Sequence, residues 1–129
     1  MLEKRENIIS KCTVDAAVEV HRTLGGPGLL ESVYEEALVW ELGFRGLDVQ
    51  RQLEVPIGYK GRTLASPLRL DLLVDGLVIV EIKATVLYNK IFEAQALTYL
   101  RLMRLKLALV INFGEIMVGS GIHRVVNGL

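Results

Sequence analysis

Cysteine is almost absent: Cys12 stands alone among 129 residues. No internal disulfide can form, and the cytoplasm is the expected compartment. Net charge is absent too, because 15 Lys and Arg balance 15 Asp and Glu. A sequence-independent polyanion binder usually carries a basic surplus. Long hydrophobic runs are missing: Leu77–Val80 and Leu107–Ile111 are the longest aliphatic stretches, far short of the roughly 20 residues of a membrane span. Internal repeats and low-complexity segments are lacking as well. The opening Met1-Leu2-Glu3-Lys4-Arg5-Glu6 is charged where a signal peptide needs an apolar stretch, so none is expected. What is present in quantity is apolar surface. A 51% apolar composition and a mean hydropathy of +0.38 exclude disorder and predict elements buried on more than one face. The length predicts one domain, 1–129, burying roughly two thirds of its unfolded surface.

The charges are unevenly placed. Residues 1–50 hold five Lys/Arg against nine Asp/Glu, 51–82 hold four against four, and 83–129 hold six against two. Such a gradient predicts either a basic face toward the C-terminus or ordinary solvated helix surfaces.

Ile9, Cys12, Ala16, Val20 and Leu24 recur at helical spacing and predict a helix over 6–24 with Cys12 in its core face. Gly25-Gly26-Pro27-Gly28 stops it. That loop lacks the Lys-Ser/Thr of a phosphate-binding loop and follows no strand, so no nucleotide site is expected there. A second helix is predicted over 29–42, with Leu30, Val33, Ala37, Trp40 and Phe44 as its stripe and Gly43 as its cap. Period two then takes over through Leu47, Val49 and 50–57, with a turn at Lys60-Gly61. Residues 68–74 and 77–83 flank Asp75-Gly76 as a hairpin. A helix over 88–105, a strand over 107–113 and a small hairpin from 116–118 and 122–126 complete the order. Both central strands are apolar at nearly every position, so helices should cover both faces of a mixed sheet.

Three charged residues interrupt those strands. Asp71 breaks the run 68–74, while Glu81 and Lys83 break 77–84; charges are seldom buried unless paired or bound to metal. A two-residue turn at Asp75-Gly76 would leave Glu81 on the face opposite Asp71. A three-residue loop, Val74-Asp75-Gly76, pairs Leu73 with Leu77 and Asp71 with Ile79. Asp71, Glu81 and Lys83 then share a face, with Glu81 one diagonal step, about 7–8 Å, from Asp71. We adopt that loop, whose glycine suits a turn with a bulge. Two carboxylates and a lysine fit a hydrolytic site for a hard divalent cation and its water, although a strand end and a surface ion pair would read the same. Gln95 points the same way as Tyr99, four residues on, as a site amide or a satisfied core amide. Glu31, followed by Tyr34, opens the second helix, where the dipole alone favours a carboxylate. His21 sits late in the first helix; His123 has no metal-ligand partner at useful spacing. Tyr88, Lys90, Arg101, Arg104 and Lys106 read as a backbone-binding patch or as helix solvation.

Gly28-Leu29-Leu30-Glu31-Ser32-Val33-Tyr34 resembles the signature of the bacterial GxxExxY proteins. The resemblance runs on through Val20-His21-Arg22-Thr23-Leu24-Gly25, Tyr59-Lys60-Gly61, Asp71, Glu81-Ile82-Lys83, Gln95 and Ile111-Asn112-Phe113-Gly114. That family is placed in the PD-(D/E)XK nuclease superfamily. The resemblance implies an αβββαβ core, a mixed central sheet flanked by helices on both faces. By position it makes Glu31, Asp71 and Glu81 the metal-binding carboxylates and Lys83 the motif lysine. Gln95 with Tyr99 resembles the Q-x-x-x-Y element of bacterial recombination nucleases. Leu70 departs from the proline of the superfamily's name. The implied activity is Mg²⁺- or Mn²⁺-dependent hydrolysis of DNA, or secondarily RNA, with Glu31, Asp71, Glu81, Lys83 and Gln95 catalytic. Tyr34, Tyr99 and His21 are candidates for substrate contact or support. The competing expectation is a silent nuclease-fold module acting through protein contacts, such as a homodimer.

Overall fold

The computed structural model describes residues 3–129. Its helices are α1 (Arg5–Leu24), α2 (Glu31–Phe44) and α3 (Ile91–Met103). Its strands are β1 (Val49–Val55), β2 (Gly58–Tyr59), β3 (Arg62–Thr63), β4 (Leu68–Val74), β5 (Val78–Lys83), β6 (Leu107–Asn112) and β7 (Ile122–Val126). Five strands form one sheet in the order β1-β4-β5-β6-β7, and β2 with β3 makes a separate hairpin. β5 and β6 run parallel, joined through α3, while the other neighbours in the sheet are antiparallel. One apolar cluster joins α1 and α2 to Leu72, Val74, Val78, Val80 and Ile82. The other joins α3 to Leu68, Leu70, Leu73 and Ile79. The mixed sheet is therefore covered on both sides, as its apolar strands require.

In α1 the buried residues Ile9, Thr13, Ala16, Ala17 and Val20 follow helical spacing. Gly25, at φ 93°, ends the helix in the left-handed region, which glycine adopts without strain. Cys12 is half-buried rather than part of the core.

α2 is rotated relative to the expected stripe. Its buried side is Tyr34, Glu35, Leu38 and Leu42, whereas Leu30, Trp40 and Phe44 are 74%, 62% and 75% exposed. The segment carries two apolar stripes, and the one containing Tyr34, Leu38 and Leu42 is packed against the sheet, where the phenol also finds backbone partners. Gly43 is not the cap: the helix passes through it, and Arg45 closes it. Ile116 and Met117 form no strand; Val118–Gly121 is a 3₁₀ turn, and Ile122–Val126 pairs with β6.

The β4–β5 loop has three residues, but they are Asp75-Gly76-Leu77. Val74 pairs with Val78, Leu73 with Ile79 and Leu72 with Val80. Ile79 is thus taken by Leu73 and not by Asp71, and the regular ladder ends before Asp71 and Glu81. Alternation along β4 does not carry through Asp71, so what joins Asp71 to Glu81 is not a shared pleat face but direct side-chain bonding between the two strands. Asp75 fixes the loop: its Oδ1 accepts the Asp48 N–H at 2.8 Å and its Oδ2 takes the Arg5 guanidinium at 2.5 Å.

Candidate active site

Asp71 and Glu81 interrupt the sheet. Regular β4–β5 pairing stops at Leu72–Val80, and beyond it side chains replace the ladder. Glu81 Oε2 accepts the Asp71 N–H at 2.9 Å, and Asp71 Oδ2 accepts the Ile82 N–H at 2.8 Å. Two strand donors thus find side-chain carboxyl oxygens in place of carbonyls. Glu81 is buried and Asp71 half-buried. Loss of solvent, and after it the Asp71 charge, pushes the Glu81 carboxyl up to about 8. Desolvation raises Asp71 as well, against the lowering effect of the Ile82 amide.

The same rung is where the sheet changes sides. Leu68 and Leu70 pack on the α3 side, yet Leu72 and Val74 pack on the α1–α2 side. In β1, Val49 packs with the α1–α2 cluster, whereas Leu53 and Val55 pack with the α3 cluster. An unbroken strand keeps alternate residues on one face. Both strands therefore switch faces between these pairs, at Gln52 and Asp71, which oppose each other between Arg51–Leu72 and Leu53–Leu70. Gln52 accomplishes this with φ 51°.

Glu35, Arg51 and Gln52 belong to the site although sequence reasoning did not select them. Glu35 is buried, and its carboxylate takes Arg51 Nε at 2.6 Å and Gln52 Nε2 at 2.9 and 3.1 Å. Gln52 Nε2 also lies 3.5 Å from Asp71 Oδ1. The available signal was Glu35 standing one turn after Glu31. Nothing in the residue type announces the left-handed backbone of Gln52. Glu31, exposed at the head of α2, lines a cleft of about 340 Å³ with Leu30, Ser32, Glu35 and Gln52. Desolvation raises its carboxyl, with Lys83 opposing and Asp71 and Glu35 reinforcing.

Lys83 makes no salt bridge among the described residues; its Nζ sits 4.5 Å above the centre of the Phe92 ring. Tyr99, half-buried on α3, is raised by desolvation and then by the Glu81 and Asp71 charges. Gln95 is exposed one turn earlier and makes no hydrogen bond among the described residues; it is not a core amide.

Tyr34 and His21 stand elsewhere. Tyr34 is fully buried; its hydroxyl donates to Gly26 O at 2.7 Å and accepts the Leu29 N–H at 3.1 Å. His21 Nε2 meets Glu115 O at 2.9 Å, and it lines a separate apolar cavity of about 590 Å³ with Val18, Ile116 and Met117. Both brace loops. The basic patch is divided: Tyr88 stacks on His123 at 4.1 Å, and Lys90 lies at the opposite end of α3 from Arg101, Arg104 and Lys106, about 16 Å along the helix axis from Arg101.

Among the described residues no three His, Cys, Asp or Glu side chains stand together as a metal cage. Magnesium seldom uses such a cage: it keeps several waters and binds through one or two carboxylates plus substrate phosphates. Asp71 and Glu81, each with one oxygen on an amide and negative charge in excess, fit that mode. The sequence profile described as the PD-(D/E)XK nuclease superfamily matches residues 7–125. No curated protein and no solved structure matches the chain.

Proposed function

The chain belongs to the PD-(D/E)XK nuclease superfamily, and on that premise we propose that it hydrolyses phosphodiester bonds with Mg²⁺ or Mn²⁺, on DNA in the first place and RNA in the second. Asp71 and Glu81 hold the cation; Glu31 does not stand with them as one three-carboxylate cage and faces the site from the cleft at the head of α2. When bound, the cation supplies an acidified water and neutralises charge on the phosphate. The reading rests chiefly on the Asp71–Glu81 rung. Two carboxylates are forced together away from water, and one of them keeps a proton up to about pH 8, which a cation would replace. Lys83, parked on an aromatic face rather than on a carboxylate, is free to orient the water or meet a phosphate oxygen. Tyr99 lines the α3 side of the same rung, and Gln95 supports it from the solvent edge.

Calorimetry with Mn²⁺ tests the metal, and cleavage of single-stranded, duplex and branched DNA and of RNA in Mg²⁺ tests the reaction. Asp71→Ala and Glu81→Ala should each abolish Mn²⁺ binding and cleavage. Undiminished Mn²⁺ binding in both variants, or no cleavage of any of these substrates, overturns the proposal. A second reading, an assembly module that pairs with a second copy, is favoured by the water-facing Leu30, Val33, Trp40 and Phe44 along α2.

A further inference from the structure

Gln52 occupies a position that a strand residue should avoid. Its φ of 51° brings its Cβ against its own carbonyl, a strain that glycine escapes and glutamine does not. Strain of this kind persists where the surroundings over-determine it, and it clusters at functional sites. The surroundings here can be named. The left-handed turn lets both strands change sides at one rung while Arg51–Leu72 and Leu53–Leu70 stay in register. It also delivers the Gln52 amide to both oxygens of buried Glu35, at 2.9 and 3.1 Å, and to within 3.5 Å of Asp71 Oδ1. Arg51, the preceding residue, clamps the same Glu35 at 2.6 Å. Asp71 Oδ2 is already committed to the Ile82 N–H at 2.8 Å. The Asp71 carboxylate is therefore held at Oδ2 by the neighbouring strand's backbone, while its Oδ1 faces the Gln52 amide at 3.5 Å.

We propose that Gln52 is a positioning residue that ties Asp71 to the buried Glu35 and its Arg51 partner and fixes the orientation in which Asp71 receives a divalent cation. This rests on the metal-dependent reading above. Partners behind a metal ligand of this sort typically matter by 10–100-fold in affinity or activity.

The experiment compares Gln52→Gly, Gln52→Ala and Asp71→Asn in the full chain by thermal unfolding and by Mn²⁺ calorimetry. Glycine removes both the strain and the amide, whereas alanine removes the amide alone. Gln52→Gly should melt above Gln52→Ala, and both should bind Mn²⁺ about tenfold more weakly than the native chain. A residue that merely shaped the turn would be replaced by glycine without loss. Native Mn²⁺ affinity in Gln52→Gly, with binding lost in Asp71→Asn, overturns the role of Gln52 and leaves the metal reading standing. Unchanged binding in Asp71→Asn, or no binding by the native chain, overturns both.

Discussion

Glu81 keeps its proton to a pH at which an exposed glutamate has long been ionised, because its neighbours are a carboxylate and a hydrocarbon core rather than water. The consequence for stability has a definite sign. Its carboxyl titrates near 8 in the folded chain against 4.5 for the ordinary group, so between those values the folded state binds more protons than the unfolded one. Stability of the metal-free protein should therefore fall as pH rises from about 5 to about 8 and level off above. Glu81→Gln should flatten that slope in thermal unfolding, and Mn²⁺ should raise Tm more at pH 8 than at pH 6. A metal-free Tm that is level across this window would refute the crowded pair. Tyr34 gives the contrasting case. Tyr34→Phe removes two backbone hydrogen bonds to the glycine loop, at an expected cost of about 1–2 kcal/mol, while Mn²⁺ affinity should stay within twofold by calorimetry. Asp71, Glu81 and Lys83 were legible in the sequence because a charge inside an apolar run violates burial. Gln52 and Arg51 were not, since polar residues on an edge strand violate nothing.

At the level of elements, the apolar runs and breakers placed every helix and the strands of the sheet to within a few residues. Three features depended on tertiary competition. α2 holds two apolar stripes, and only packing against the sheet decides between them. The hairpin loop shifted by one residue because Asp75 is held by Asp48 and Arg5, contacts 27 and 70 positions away. The segment 116–121 holds a 3₁₀ turn in place of the expected strand, and the chain just before it is tied to the exit of β5. Asn112, buried at the end of β6, accepts the Thr85 and Gly114 N–H groups on Oδ1 and donates to Thr85 O, each at 3.0 Å. A Cβ on Gly114 would lie 2.3 Å from Thr85 O, a clash with backbone that neither strand exit can relieve cheaply. Gly114→Ala should destabilise by about 1–3 kcal/mol. Gly119→Ala, whose Cβ meets nothing within 4 Å, should stay within about 0.5 kcal/mol. Equal denaturant midpoints for the two variants would mean that the β5 and β6 exits are not locked together.

For the whole molecule, the balance of 15 against 15 charges conceals a division that makes salt a discriminating variable. The polar contribution of α2 is acidic throughout, with Glu31, Glu35, Glu36 and Glu41 and no lysine or arginine within the helix. Glu35 is held by Arg51 and Glu41 by Arg45, so the charge that two copies joined through Trp40 and Phe44 would bring together is chiefly that of Glu36 and Glu31. Such self-association is opposed at low ionic strength and favoured when salt screens the repulsion, the Debye length falling from roughly 14 Å near 50 mM to roughly 4 Å near 500 mM. Binding to a polyanion through Lys83, Lys90 and the C-terminal third must respond in the opposite direction, because each phosphate contact releases counterions that added salt disfavours. Light scattering across that range should therefore show the dimer fraction rising with salt, while DNA affinity, read by anisotropy on the same samples, falls. Trp40→Asp should hold the chain monomeric throughout without altering the DNA titration, since α2's outer face lies away from Lys83 and α3. A chain that stays monomeric at every salt concentration would leave the exposed side of α2 without a role in self-assembly. If Trp40→Asp abolished DNA binding while the variant remained folded, the two surfaces would have to be coupled.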